Sequence, residues 1–296
     1  MNARDWFERA RKEQFAIGAF NVDSLEIFKA VVMAAYVKKS PVIVAFSPGE
    51  VGYFGLKNII DLTANAREET RLPILLNLDH GKTRDDVMKA IELSDDDPSP
   101  GSGFNNVHFD GSDLELEENI KQTKDIVDVA HKNGILVEGE INKVGGSSEV
   151  HGEELDFEKL KESYTKAEDA ERFVRGTSVD ILAPVFGNIH GTFPVQPDLD
   201  IKLLKKIRLA VGETFLALHG GSGIPLEYVQ EAIKEGGVVK VNVNTELRAT
   251  YKQALEEKLG ERPDEYKIYD LMPDVIRAVA AVVEDKIDVF GSSNKV

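Results

Sequence analysis

FLALHGGSGIPLEYVQEAIKEGGVVKVNVNT, residues 215–245, holds one complete strand–helix–strand unit, and its reading decides the fold. FLALH (Phe215 to His219) and VVKVNV (Val238 to Val243) are short β-rich apolar runs. Between them Pro225 opens LEYVQEAIKEGG, whose apolar residues recur at three- and four-residue spacing, so a helix links the two strands. Moving outward, the same alternation fills the chain. AIGAF (Ala16 to Phe20), VIVAF (Val42 to Phe46), ILLNL (Ile74 to Leu78), NVHF (Asn106 to Phe109), ILVEGE (Ile135 to Glu140) and VDILA (Val179 to Ala183) bring the strands to eight. Helical patterns such as SLEIFKAVVMAAYVKK and LEENIKQTKDIVDVAHKNG lie between them, the second closed by Gly134.

Eight βα units in 296 residues with no break in composition predict an α/β protein, a single-domain (β/α)8 TIM barrel over residues 1–296. An open doubly wound sheet is the rival fold. Its glycine-rich phosphate fingerprint is missing from the first turn, Phe20-Asn21-Val22-Asp23-Ser24. Two segments exceed ordinary loop length: an exposed insertion at 94–103, and NKVGGSSEVHGEELDFEK at 142–159, which reads as a mobile catalytic loop hinged at Gly145-Gly146. The C-terminal SSNKV reads as a mobile tail.

Composition narrows the function. With 42% hydrophobic residues the chain can build a large core. Thirty-six basic against 52 acidic residues give a net charge of −16 without a basic stripe, which argues against nucleic acid as a partner. There is no Cys, so thiolate nucleophiles and Cys-ligated zinc are excluded, and any metal must take His, Asp or Glu. No run approaches the roughly 18 apolar residues of a membrane span. The expectation is a soluble cytoplasmic protein with no membrane partner.

The polar residues gather at the ends of the runs: Asn21, Ser47, Asp79-His80-Gly81, Asp110-Gly111-Ser112, Glu140, His190-Gly191, His219-Gly220-Gly221-Ser222 and Asn242-Val243-Asn244-Thr245. In a barrel these converge on the C-terminal face, where barrel enzymes build their sites. His80, His190 and His219 share one local form, His followed by Gly, and three neutral imidazoles with one open position make a catalytic zinc shell. Each alone reads better as a satisfied polar residue at a strand end, and the repetition of the form three times on one face reverses that. His131 falls on a helix surface, His108 shares the inward parity of Asp110 as a hydrogen-bonded core residue, and His151 lies in the loop. Asp79 needs a partner or a task, as a brace that holds a metal ligand in place or as an acid/base group. Asp110 and Glu140 would brace the ligands or offer another metal position. HGGSG and NVNT supply the donors of a phosphate site after the last two strands.

These residues resemble the class II, metal-dependent ketose-bisphosphate aldolases, the fructose- and tagatose-bisphosphate group. The resemblance covers nearly the whole chain through AFNVDSLE, VIVAFSPGEVGYFG, LNLDHG, FDGSDLELEEN, VEGEINKVGG, YTKAEDAERFVRGTSVDILAPVFGNIHGTF, LHGGSGIP and KVNVNTELR. It implies that His80, His190 and His219 bind a divalent metal, usually Zn2+, that Asp79 handles the proton on the C4 oxygen, and that Asp110 and Glu140 hold a displaced or second metal. It places Ser47, Gly191, Gly220, Ser222, Asn242, Asn244 and Thr245 around dihydroxyacetone phosphate, with a monovalent cation (Na+ or K+) near the glycines. It also implies a phosphorylated sugar substrate, a homodimer or homotetramer, and reversible cleavage of fructose 1,6-bisphosphate to dihydroxyacetone phosphate and glyceraldehyde 3-phosphate.

Two departures stand out. Ser147 and Ser148 occupy the place of the family's loop Glu, so Glu149 is expected to take the C3 proton, with Glu153, Glu154 and His151 as alternatives. The Pro-Ala-Arg stretch before the last helix is absent, although Pro273 and Arg277 are nearby. A Schiff-base aldolase would need a Lys at a strand end, and Lys240 lies inside the last run. A metal hydrolase would place two His on the first strand, which ends Phe20-Asn21. The remaining alternatives are a tagatose-bisphosphate aldolase and a non-catalytic phosphosugar-binding relative.

Overall fold

Runs of Val, Ile, Leu and Phe that are buried on both faces form parallel strands only when helices cover the outside. A computed structural model of the protein describes residues 2–95, 103–152 and 156–296 and shows that arrangement. Its strands are β1 (Ile17–Asn21), β2 (Val42–Phe46), β3 (Ile74–Gly81), β4 (Asn106–Asp110), β5 (Leu136–Glu140), β6 (Gly146–Val150), β7 (Ile181–Ala183), β8 (His190–Thr192), β9 (Phe215–Leu218) and β10 (Val238–Val243). Eight of them close a parallel barrel in the order β1-β10-β9-β7-β5-β4-β3-β2, which excludes the open sheet. β6 and β8 stand apart as a two-stranded parallel ribbon over one rim.

The helices follow the sequence signals. Ser24 caps the helix Leu25–Lys38 by accepting from Ile27 N–H at 3.2 Å, and Pro225 precedes the helix Leu226–Lys234. Side chains such as Phe20, Val44, Leu76, Val107 and Leu216 fill the layer between strands and helices. A second cluster lies inside the barrel at its N-terminal end, where Ile17, Ile43, Leu75, Leu136 and Phe215 meet Trp6, Phe7 and Ala10 of the helix Ala3–Glu13. That helix plugs the barrel floor. Each such aromatic contributes about 1.5–3 kcal/mol by burial, so the bottom is closed and only the opposite end is free for chemistry.

The mobile-tail expectation is corrected, and the two long segments are described in part. The insertion at 94–103 falls mostly on residues 96–102, outside the described residues, while Phe104 N–H donates to Ser94 Oγ at 2.9 Å and joins its two ends. The loop at 142–159 contains β6 and a short helix, Phe157–Lys161; Glu153 and Glu154 lie outside the described residues. The C-terminal segment is tied down, because Asn294 and Val296 N–H donate to Lys38 and Lys39 C=O at 2.8 and 3.0 Å. It supplies donors to carbonyls at the end of a helix, which otherwise lack them. Among the described residues, no helix is long and apolar enough to cross a membrane.

Candidate active site

Strand ends β1, β2, β3, β4, β5 and β10 and the loops after β7 and β9 surround a cavity of about 270 Å³ at the open end. Of the residues expected from sequence, Ser47, Asp79, His80, Asp110, Glu140, His190, Gly191, Gly220, Ser222, Asn242, Asn244 and Thr245 all line it. His219 lies just behind the wall, fully buried, and Glu149 is exposed and off the wall.

The His-Gly form arises in two ways. Gly191 and Gly220 take positive φ (91° and 65°), and a Cβ at Gly220 would strike the Ile189 carbonyl at 2.0 Å. At the first pair His80 itself is left-handed, with φ 50°, beside a register shift between Leu78 and Gly81. A non-glycine residue held there stores strain, which functional sites retain when neighbours enforce it. The neighbours are visible: His80 N–H donates to His108 Nδ1 at 3.1 Å, and His80 Nδ1 meets Asp110 Oδ2 at 2.8 Å.

His80 Nε2 then faces His219 Nδ1 at 3.0 Å. Two imidazole nitrogens at that distance repel unless a proton or metal cation lies between them, so these residues fit a divalent ion. Among the described residues, potential ligand atoms cluster in two groups: Asp79, His80, His108 and His219, and, sharing His80, the set His80, Asp110 and Glu140. Sequence reasoning placed His108 in the core and His190 in the shell. His108 is fully buried and its Nδ1 already accepts from His80, so it braces the site. His190 stands on β8 rather than at a barrel strand end, its ring 5.0 Å from that of His80 and 6.1 Å from that of His219. Its ligand atom is therefore outside both clusters as they stand.

Charges at the site are set by burial and by each other. Asp79 accepts from Asn21 Nδ2 at 3.1 Å and Asn242 Nδ2 at 3.0 Å. Burial pushes its pKa up, but His80, His108, Lys240 and His219 together outweigh that and hold it well below the usual carboxylate range. Glu140, whose buried Oε2 accepts no hydrogen bond and lies 3.6 Å from His108 Nε2, is pushed up to about 7 by burial and by Asp110. Burial lowers the pKa of His80, yet Asp79 and Asp110 raise it to about 9. Burial leaves His190 neutral, well below the ordinary histidine value, as a metal ligand must be.

At the other side, Ser222 Oγ accepts from the backbone N–H of Asn244 and Glu246, both at 3.4 Å, and fastens the HGGSG turn to the start of the helix Thr245–Glu261. Free backbone donors beside a helix N-terminus suit a phosphate. The carbonyls of Gly191 and Ser222, near which a monovalent cation is expected, each accept from Gln196 Nε2, at 3.3 and 3.4 Å, and each keeps a second lone pair.

Sequence reading missed Lys82, Lys143 and Arg248, which supply positive charge to the cavity wall, and Glu50, which accepts from Arg248 at 2.7 Å. Lys82 follows LDHG directly and Arg248 comes three residues after NVNT, and that proximity was the available signal. Arg277 instead pairs with Asp274 and is off the cavity. The loop is also rearranged relative to expectation: Ser148 faces the cavity, and Glu149 lies on the opposite, exposed side of β6, since successive strand residues alternate faces.

Known proteins share this architecture. The sequence profile described as "Fructose-bisphosphate aldolase class-II" matches residues 1–295. The chain is 39% identical over 308 aligned positions to a fructose-bisphosphate aldolase of Streptococcus pneumoniae, covering 100% of this chain and 99% of that one. It is 34% identical to a 6-phospho-5-dehydro-2-deoxy-D-gluconate aldolase of Shouchella clausii, covering 97% and 92%. A crystal structure of a putative fructose-1,6-biphosphate aldolase from Coccidioides immitis superposes with TM-score 0.85 at 33% identity, covering 99% of this chain and 97% of that one.

Proposed function

The chain belongs to the class II fructose-bisphosphate aldolase family, and from that premise we propose that it cleaves a ketose 1,6-bisphosphate, fructose 1,6-bisphosphate first, with zinc as its metal. As a member of that family it is a metal-dependent lyase acting on phosphorylated sugars. The observation that carries the reading is the pair of imidazole nitrogens held 3.0 Å apart beside Asp79, with the Ser222 turn across the cavity. His80 and His219 would hold the metal, with His190 completing the set from β8. Neutral imidazoles and oxygen donors suit zinc. A divalent cation bound there supplies a Lewis acid for the negative charge that develops on the substrate's C2 oxygen.

The protein's own groups do the rest. Ser47, Ser222, Asn244 and Thr245 with the glycine backbone would hold the dihydroxyacetone phosphate end. Asp79, ionised and oriented by Asn21 and Asn242, would take the C4 hydroxyl proton as the C3–C4 bond breaks, and return it in synthesis. Proton transfer at C3 we assign to Glu149. A one-residue slip of β6 against β8 exchanges the two faces of the strand and would put Glu149 where Ser148 stands. Such a slip also carries Ser147 into the place of Gly146, where a Cβ would lie 2.2 Å from the His190 carbonyl, so it requires β6 to draw away from His190, which a marginally stable two-stranded ribbon allows.

A coupled cleavage assay on fructose and tagatose 1,6-bisphosphates and on 6-phospho-5-dehydro-2-deoxy-D-gluconate, with the protein stripped of metal and then reloaded with Zn2+, tests the proposal. Zinc-dependent cleavage of a ketose bisphosphate is expected. Failure to cleave either ketose bisphosphate by folded, zinc-loaded protein would overturn it, and tight binding of dihydroxyacetone phosphate without turnover would favour the non-catalytic relative.

A further inference from the structure

Directly beneath the metal position lies a buried ionic layer that neither composition nor motif singled out. Glu138, on β5, stands in register with His108 on β4, and Lys240, on β10, comes just after a register shift that begins at Val238. Glu138, Lys240 and His219 are each 0% exposed. Glu138 Oε1 lies 2.7 Å from His219 Nε2, while its Oε2 accepts from Lys240 Nζ and, at 3.2 Å, from Asn106 Nδ2.

We propose that Glu138 and Lys240 form a positioning pair that dictates which nitrogen of His219 is presented to the metal. A carboxylate only accepts, so the 2.7 Å bond requires the proton of His219 to sit on Nε2. Nδ1 is then left with its lone pair, facing His80 Nε2. His80 is oriented the opposite way: its Nδ1 is held by Asp110, and it presents Nε2. The two rings therefore offer different nitrogens, and the site works only if each tautomer is enforced from behind. Asp110 does so at the cavity wall and Glu138 does so from inside the barrel.

Lys240 gives this arrangement its charge balance. A lone carboxylate at 0% exposure would be strongly disfavoured, and a Lys with its amine on the far carboxylate oxygen supplies the countercharge while leaving Oε1 for His219. The same contact explains why Lys240 is no Schiff-base nucleophile. Its amine is sealed under the site and off the cavity wall.

This proposal rests on the reading of His219 as a metal ligand, so its test has one arm that needs no metal. Removing one charge alone would strand the other, and the variant of choice is the double substitution Glu138→Gln/Lys240→Met, which removes both and can fold. Nitrogen-15 NMR of the metal-free protein reads the His219 tautomer: Nε2–H is expected in the wild type, and a mixture in the double variant, because an amide can accept or donate. An Nδ1–H tautomer in the wild type, or an unchanged Nε2–H tautomer in the double variant, overturns the proposal. In the second arm, competition against a chelator with Zn2+ alone should show affinity about 10–100-fold weaker in the double variant. Affinity within threefold of wild type, with folding intact, also overturns it. Wild-type protein that binds no zinc but keeps the Nε2–H tautomer would instead overturn the proposed function and leave the positioning intact.

Discussion

Asp79 shows how far a single residue could be read from sequence. Its place after an apolar strand demanded a partner or a task, and the two amides that orient it, Asn21 and Asn242, were both visible as strand-end residues. The identity of its hydrogen-bond partners was not, because it depends on closure of β1 against β10. If Asp79 moves the C4 proton, Asp79→Ala should keep its metal and lose about 10²–10⁴-fold in kcat, measured in the cleavage assay with metal content checked by atomic absorption. Loss of metal with activity restored at saturating Zn2+ would make it a brace. His80 carries a second prediction. Its pKa without metal is raised to about 9, so below that pH a proton must leave before a metal can bind. Zinc affinity should therefore rise about tenfold per pH unit up to about 9 and level off above it, as read by titration at several pH values. A flat profile between pH 6 and 8 contradicts the assignment of His80 as a ligand.

Elements were legible where pattern and burial agree. FLALH, VIVAF and ILLNL became barrel strands because their β-branched and large apolar side chains are covered on both faces. The ribbon of β6 and β8 was not legible, since GSSEV and HGT carry no apolar period and their pairing joins segments about forty residues apart. That ribbon decides the loop chemistry. In it Gly146 has φ 81° and a Cβ there would lie 2.2 Å from the His190 carbonyl, so the loop and a metal-site histidine are joined at one point. If a slip of β6 delivers Glu149, exchange of the C3 proton of dihydroxyacetone phosphate with deuterated solvent should slow by about two orders of magnitude in Glu149→Gln and change little in Ser148→Ala. Wild-type exchange in Glu149→Gln would mean that the ribbon stays as it is and that the carboxylate belongs elsewhere.

At the scale of the whole molecule, eight repeated βα units fixed the barrel, and the barrel brought residues from positions 21 to 248 onto one wall. Convergence follows from topology, which is why strand-end residues could be chosen without coordinates. The layer below, Glu138 with Lys240 and Asn106, stayed hidden because side chains within strands read as core, and a charged pair inside a barrel leaves no periodic trace. The central proposal is a single metal at the His80–His219 pair that drives aldol cleavage. It is tested most directly by titrating Zn2+ into chelator-stripped protein while following cleavage of fructose 1,6-bisphosphate. Activity should be absent at the start, climb in proportion to added zinc, and reach its plateau at about one ion per chain. Full activity in the stripped protein, or none with zinc bound at that stoichiometry, would contradict it.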